Sequence, residues 1–162
     1  MSVRGAVVAG ALSLLGVAAS VGLAVWATSK RLQGDRLPTG PDVVHVEVTA
    51  NEWSWAVRHP GADGVLGTGD DVARVNELAL PVGRDVVVHV RSPRLAHELA
   101  LVAYGRRKGA APGRDGAFAV RAMEAGTSAM VCSQLCGPGH YQMAGRVVAM
   151  PAEAWRGAGY GR

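Results

Sequence analysis

Two hydrophobic patterns divide this chain. From Gly5 to Ser29 the run GAVVAGALSLLGVAASVGLAVWATS carries no charge and is bounded by Arg4 and by Lys30-Arg31. As a helix of about 25 residues it would extend roughly 37 Å, more than the roughly 30 Å of membrane hydrocarbon. That length predicts one N-terminal transmembrane helix over residues 1–29. The apolar region of a cleaved signal peptide is shorter, about 7–15 residues. Small residues such as Gly10, Gly16 and Gly22 suit a membrane helix, and Trp26 stands where an interfacial ring belongs. Residues 30–41 (KRLQGDRLPTGP) read as a linker with Gly and Pro breakers.

From residue 42 the pattern changes to short β-branched stretches separated by turn residues. Strands are predicted at Asp42–Ala50, Asn76–Leu80, Asp85–Arg91, Leu95–Ala103, Ala117–Met123, Ser128–Val131 and Gly145–Met150. Trp53 and Trp55 extend the first strand with period two, which places both rings on one side. Val57–Val72 and residues 105–116 read as loops. The expectation is an all-β domain over 42–150, a sandwich or barrel, followed by a tail over 151–162 with a helical turn at Pro151–Trp155.

Composition narrows the class. A chain of 162 residues excludes a multi-domain enzyme, a repeat array and a multi-span transporter. Aromatics are only 5% against 49% hydrophobic residues, so the core must rest on Val, Leu, Ala and Met. The net charge of +4 suits anionic lipid or an acidic partner. Nucleic acid is not expected, because the one dense basic run, Arg106-Arg107-Lys108, lacks an aromatic stacking platform. The basic residues flanking the apolar run, Arg4 before it and Lys30, Arg31 and Arg36 after it, point against export by the positive-inside rule. The chemistry that follows outweighs this.

The chemistry concentrates in C132-S-Q-L-C136-G-P-G-H140-Y-Q-M143. Two thiols, an imidazole and a thioether lie within one short turn rich in Gly and Pro. Soft sulfur with imidazole suits copper or zinc, and a thioether favours copper. A Cys132–Cys136 disulfide and a two-Cys, two-His zinc site are the alternatives. A mononuclear blue-copper centre needs one Cys, so the second thiol argues against it.

This segment resembles the dinuclear copper (CuA) motif of cytochrome c oxidase subunit II, with its Cys-x-x-x-Cys-Gly-x-Gly-His-x-x-Met pattern. The likeness extends to Arg91–Ala103 (RSPRLAHELALVA), to Gly109–Arg114 (GAAPGR) and to Asn51–Trp55 (NEWSW), in that family's order over roughly residues 43–150. The resemblance implies a cupredoxin-like Greek-key β-barrel or sandwich. It implies that Cys132 and Cys136 bridge two coppers, that His97 and Met143 complete one, and that His140 and the Gln134 backbone carbonyl complete the other. It implies that Trp53 admits electrons, with Trp55 as packing. The partners implied are haem–copper oxidase subunit I and a cytochrome c or similar haem donor. The location implied is a bacterial-type cytoplasmic (inner) membrane, crossed once, with the copper domain on the periplasmic face.

Departures from the family pattern refine this. Gln134 stands where many members carry the Glu that helps hold magnesium, so no magnesium is expected; Gln there accords with single-span, B-type-like members. Glu98-Leu99 after His97, Arg94, and Gly109 depart from the pattern, and the last two remove negative charge from the docking side. An acidic or membrane-tethered donor is therefore expected. A nitric oxide reductase subunit and a copper-delivery protein are the rival functions. In the 57–72 loop, Asp63, Asp70 and Asp71 are candidate calcium ligands beside the plainer reading of a hairpin insertion. His45, His59 and His89 are expected at the surface.

Overall fold

The computed structural model describes residues 16–26 and 36–161. The chain divides into two units, residues 1–36 and Leu37–Arg162. In the first, residues 16–26 form a helix, α1. Among the described residues no helix is long and apolar enough to cross a membrane. Most of the anchor expected over residues 1–29 lies outside them.

The second unit is a two-sheet β-sandwich of ten strands. One sheet has the order β3-β2-β1-β5-β8 and the other β4-β10-β9-β6-β7. The strands are β1 (Val44–Asn51), β2 (Ser54–His59), β3 (Val72–Val75), β4 (Glu77–Pro81) and β5 (Asp85–Arg91). They continue with β6 (His97–Leu101), β7 (Arg106–Ala110), β8 (Gly116–Arg121), β9 (Gly126–Cys132) and β10 (Ala144–Met150). Strands β1 and β5 run parallel, as do β4 and β10; the other pairings are antiparallel.

Period-two alternation explains which side chains meet between the sheets. In β1 the side chains of Val44, Val46, Val48 and Ala50 are buried while those between them are more exposed. They face a core that includes Leu78, Leu80, Leu99, Leu101, Met130 and Val147. Each such aliphatic side chain contributes about 1.5–3 kcal/mol on full burial, so a core poor in aromatics is sufficient.

The structure corrects the sequence reading at four places. The chain turns at Glu52–Trp53, and Trp55 lies on β2, antiparallel to β1 with Ala50 as its partner. Trp53 and Trp55 therefore do not share one strand face. The 57–72 segment is shorter as a loop than expected, because β2 runs to His59 and β3 begins at Val72. Residues Arg106–Ala110, expected as loop, form edge strand β7 against β6. Its basic, two-sided polar character hides the strand signal and also suits an edge that must resist pairing with other chains. Lastly, His59 is fully buried rather than at the surface.

His59 belongs to a cluster with the chain's final described residues. Helix α2 (Ala152–Gly157) and the turn after it bring Trp155 and Tyr160 into the core. The Tyr160 ring lies 4.7 Å from His59 and 4.4 Å from Trp155. His59 Nε2 accepts the Ala79 N–H at 3.0 Å. Gly161 donates to Pro60 O at 3.0 Å, and Trp155 Nε1 donates to Gly161 O at 2.5 Å.

Candidate metal centre

Strand β9 ends at Cys132 and β10 begins at Ala144, so the ligand-rich segment is the β9–β10 connection. Its ends are tied, with the Cys132 N–H donating to Met143 O at 3.0 Å. Ser133 N–H donates to Glu98 O at 2.9 Å, which extends the β6–β9 register past Leu99↔Cys132. Inside the loop, His140 N–H reaches Gly137 O, Gln142 N–H reaches Gly139 O and Met143 N–H reaches His140 O, at 3.0–3.1 Å. These bonds hold a short 3-10 turn over His140–Gln142. A loop with its backbone groups satisfied in this way presents fixed side chains.

Those side chains converge. Cys132 Sγ and Cys136 Sγ are 3.5 Å apart, and both thiols are free. Cys136 Sγ lies 3.4 Å from His140 Nδ1 and 4.0 Å from Met143 Sδ. Cys132 Sγ lies 3.1 Å from the Gln134 carbonyl oxygen. Ligand atoms of Cys132, Cys136 and His140 all fall within 4.8 Å of one another. Among the described residues this is the one group of three or more His, Cys, Asp or Glu side chains so arranged.

His97 lies outside that group but beside it in the sheet. It opens β6, two residues before Leu99, the register partner of Cys132. The residue is 1% exposed. Nδ1 is within hydrogen-bond distance of Ser92 Oγ (3.0 Å) and Leu95 O (3.1 Å), and Ser92 Oγ itself donates to Leu95 O. Nε2 is buried with no partner. Trp55 meets the ring edge-on, with centroids 6.3 Å apart. A buried imidazole nitrogen without a partner carries a desolvation cost that a metal ion would relieve. The polar partners of the other nitrogen supply the outer support that orients a ligand histidine. Ser92 and Leu95 escaped the sequence reading because nothing in their identity marks them.

Trp53, partly buried against the edge of the core, is brought to the loop. Its indole packs against Gly137 and Gly139: a Cβ added at Gly137 would come within 2.5 Å of the ring, and one at Gly139 would overlap it. Gly137 also adopts φ +126°, which only glycine takes without strain. Around this point the loop turns Leu135 and Tyr141 outward, 80% and 81% exposed.

The electrostatics suit a cation. Burial first, then the hydrogen bond and charge of Cys132, push the Cys136 thiol up to about 11. Without a cation two adjacent thiolates are unfavourable, and metal binding would displace protons from such a pair. The donor set of two thiols, imidazole, thioether and carbonyl, with an orphaned imidazole alongside, fits soft-metal chemistry of the copper type.

The aspartates of the 57–72 loop do not converge, and the calcium expectation fails. Asp70 carboxylate oxygens accept from Asp63 N–H and Thr68 Oγ1, Asp63 Oδ1 accepts from Val65 N–H, and Asp71 Oδ2 accepts from Gly67 N–H while pairing with Arg58. These carboxylates serve the turn itself.

Residues 60–150 match the family model described as cytochrome c oxidase subunit II, periplasmic domain. The alternative cytochrome c oxidase subunit 2 of Bradyrhizobium diazoefficiens is 32% identical over 159 residues, covering 83% of this chain and 54% of that one. Cytochrome c oxidase subunit 2 of Thermostichus vulcanus is 29% identical over 119 residues, covering 72% of this chain and 33% of that one. The chain thus spans about half the length, or less, of these curated relatives. In structure it resembles the periplasmic domain of subunit II of the Bradyrhizobium japonicum oxidase, with a TM-score of 0.63 and 23% identity over 75% of this chain and 93% of that one. It also resembles a subunit II captured as a mixed disulfide with a thioredoxin-like protein, with a TM-score of 0.60 and 23% identity over 75% of this chain and 91% of that one. The fold is the cupredoxin-like all-β domain.

Proposed function

The chain belongs to the cytochrome c oxidase subunit II family, and on that premise we propose that it is the electron-transfer subunit of a membrane-bound haem–copper terminal oxidase. In this reading it takes electrons from a cytochrome c or similar haem donor and passes them to haem in subunit I. The observation that carries it is the convergence of Cys132, Cys136 and His140 within 4.8 Å, with Met143 and the Gln134 carbonyl against them.

Cys132 and Cys136 would hold two copper ions between them, His97 and Met143 completing one and His140 and the Gln134 carbonyl the other. When bound, such a centre supplies one-electron exchange with little change in bond length. The chain's own residues provide the conditions for it. The Cys132–Met143 backbone bond and the 3-10 turn fix the donors in advance, so little rearrangement accompanies a change of charge. Met143 and His97 are 1% exposed, which keeps water from their side of the loop. Trp53, packed on Gly137 and Gly139, offers an aromatic path from the outer surface to the loop.

The apolar run over residues 1–29 would anchor the chain, with the sandwich on the periplasmic side of a bacterial-type inner membrane. The two thiols, with sulfurs 3.5 Å apart, would form a disulfide by exchange with an oxidised disulfide partner, which takes their two electrons and two protons and becomes a dithiol. A thioredoxin-like dithiol donor would then be the class of partner that returns them to the metal-ready state, itself becoming the disulfide. The test is copper stoichiometry and electron paramagnetic resonance of the full chain in detergent. Two coppers per chain and a multi-line signal from one electron shared over both nuclei are expected. A single copper with a four-line signal would favour a copper-delivery role instead.

A further inference from the structure

A second pair of metal-competent side chains lies apart from the β9–β10 loop. His45 on β1 and His89 on β5 stand on neighbouring parallel strands, in which His45 registers with Val87 and Glu47 with His89. His45 Nδ1 and His89 Nε2 are 2.9 Å apart. The rings are within 20° of parallel, with centroids 5.2 Å apart. That separation is about the nitrogen–nitrogen distance plus two ring radii, so the nitrogens meet head-on across one shared proton. The pair forms part of an open cleft of about 470 Å³, flanked by Pro41, Val43, Val65 and Leu66.

We propose that His45 and His89 form a surface binding site for a first-row transition-metal dication, Cu(II) foremost. Imidazole suits these metals, and copper binds most tightly among them. With metal–nitrogen bonds of about 2.0–2.1 Å, adjacent nitrogens of a tetragonal site lie about 2.9 Å apart. The pair already has that spacing. Tilting the two rings toward the cleft turns both lone pairs to one point, and the metal takes the place of the shared proton. His45 is exposed and His89 half-buried, so neither ring is locked by packing. The cleft leaves room for water to fill the remaining positions. Burial, and then the neighbouring His45, hold the His89 pKa below its usual value, which keeps the ring neutral and able to ligate. Glu47, the acidic neighbour on the same face, is held by Arg58 and Arg91 and is not required as a ligand.

The test uses the full chain in detergent with Cys132→Ser and Cys136→Ser, which removes the thiols that would reduce Cu(II). Competition titration against a chelator should show that adding His45→Asn or His89→Asn weakens one Cu(II) site by at least roughly 10–100-fold, a loss known even for outer-shell partners. The parent should show an axial spectrum with nitrogen splitting that these substitutions diminish. Substoichiometric Cu(II) should also broaden the amide resonances of Val43, Val65 and Val87 first, a readout that needs no histidine variant. Unchanged affinity in both variants, or broadening confined to residues 132–143, would overturn the proposal.

Discussion

Cys132 and Met143, the first and last residues of the ligand-rich loop, are joined by a backbone hydrogen bond of 3.0 Å. That bond closes the loop at its base. Its sulfur and imidazole groups already lie near one another, with Cys132 and Cys136 Sγ at 3.5 Å. Replacing Cys132 with Ser keeps that closure and removes one bridging donor. Copper content should fall from two per chain to one or none, and the multi-line resonance should disappear while the thermal midpoint of the metal-free protein changes little. Metal analysis with parallel calorimetry checks this.

Trp53 fixes the loop from the other side. Gly139→Ala would drive a methyl group into the indole. The backbone φ of −93° at Gly139 suits alanine, so the penalty is steric. A loss of about 1–3 kcal/mol is expected for overpacking of this kind, together with lowered copper occupancy. Combining it with Trp53→Ala should recover part of the stability, although electron transfer from the donor should remain slow. Denaturant unfolding and stopped-flow reduction separate the two effects.

His59 makes the sandwich sensitive to acid. Burial, the largest cause, lowers its pKa from 6.5 to about 4. The folded form thus binds fewer protons than the unfolded form between these values. Its stabilising contribution is complete above pH 6.5 and declines as pH falls toward 4, by about 3 kcal/mol in all. His59→Gln retains an acceptor for the Ala79 N–H and should flatten this part of the profile. Unfolding free energies measured from pH 7 to pH 4 would show whether it does.

An acidic or tethered donor is the expectation raised by the net charge of +4. Two acids near the loop already have basic partners: Glu52 pairs with Arg94 at 3.4 Å and Glu98 with Arg107 at 3.9 Å. Reduction by an acidic cytochrome c should slow as ionic strength rises from about 10 to 200 mM, since screening shortens the reach of steering charges. A basic cytochrome c should react more slowly at low salt and gain as salt is added. Stopped-flow rates against salt concentration distinguish these responses.

Much of the candidate centre is legible in the sequence because it is local. The spacing from Cys132 to Met143 and the Gly-Pro-Gly between them are contiguous, and β-branched runs such as Asp85–Arg91 announce strands directly. The hidden parts depend on the course of the chain. Trp53 and Trp55 read as one strand because Asn51-Glu52 carries no Gly or Pro to mark the turn. Strand β7 was obscured because Arg106, Arg107 and Lys108 have no hydrophobic face to alternate. The burial of His59 depends on Trp155 and Tyr160, about a hundred residues away. The meeting of His45 with His89 depends on parallel pairing of β1 with β5, which no local pattern reveals.

The tied loop has a consequence for how such a protein can diverge. Four side chains and one carbonyl of the candidate centre come from twelve consecutive residues, Cys132 to Met143; His97 is the sole contributor from elsewhere. An insertion within that stretch would scatter the donors, whereas one in the 57–72 hairpin would pass unnoticed by them. The scaffold can drift provided that it keeps two strand ends at the spacing spanned by Cys132 and Met143 and a histidine on the adjoining strand. The inheritance of the site is in this sense nearly one-dimensional, a short phrase carried intact on a freely rewritten frame.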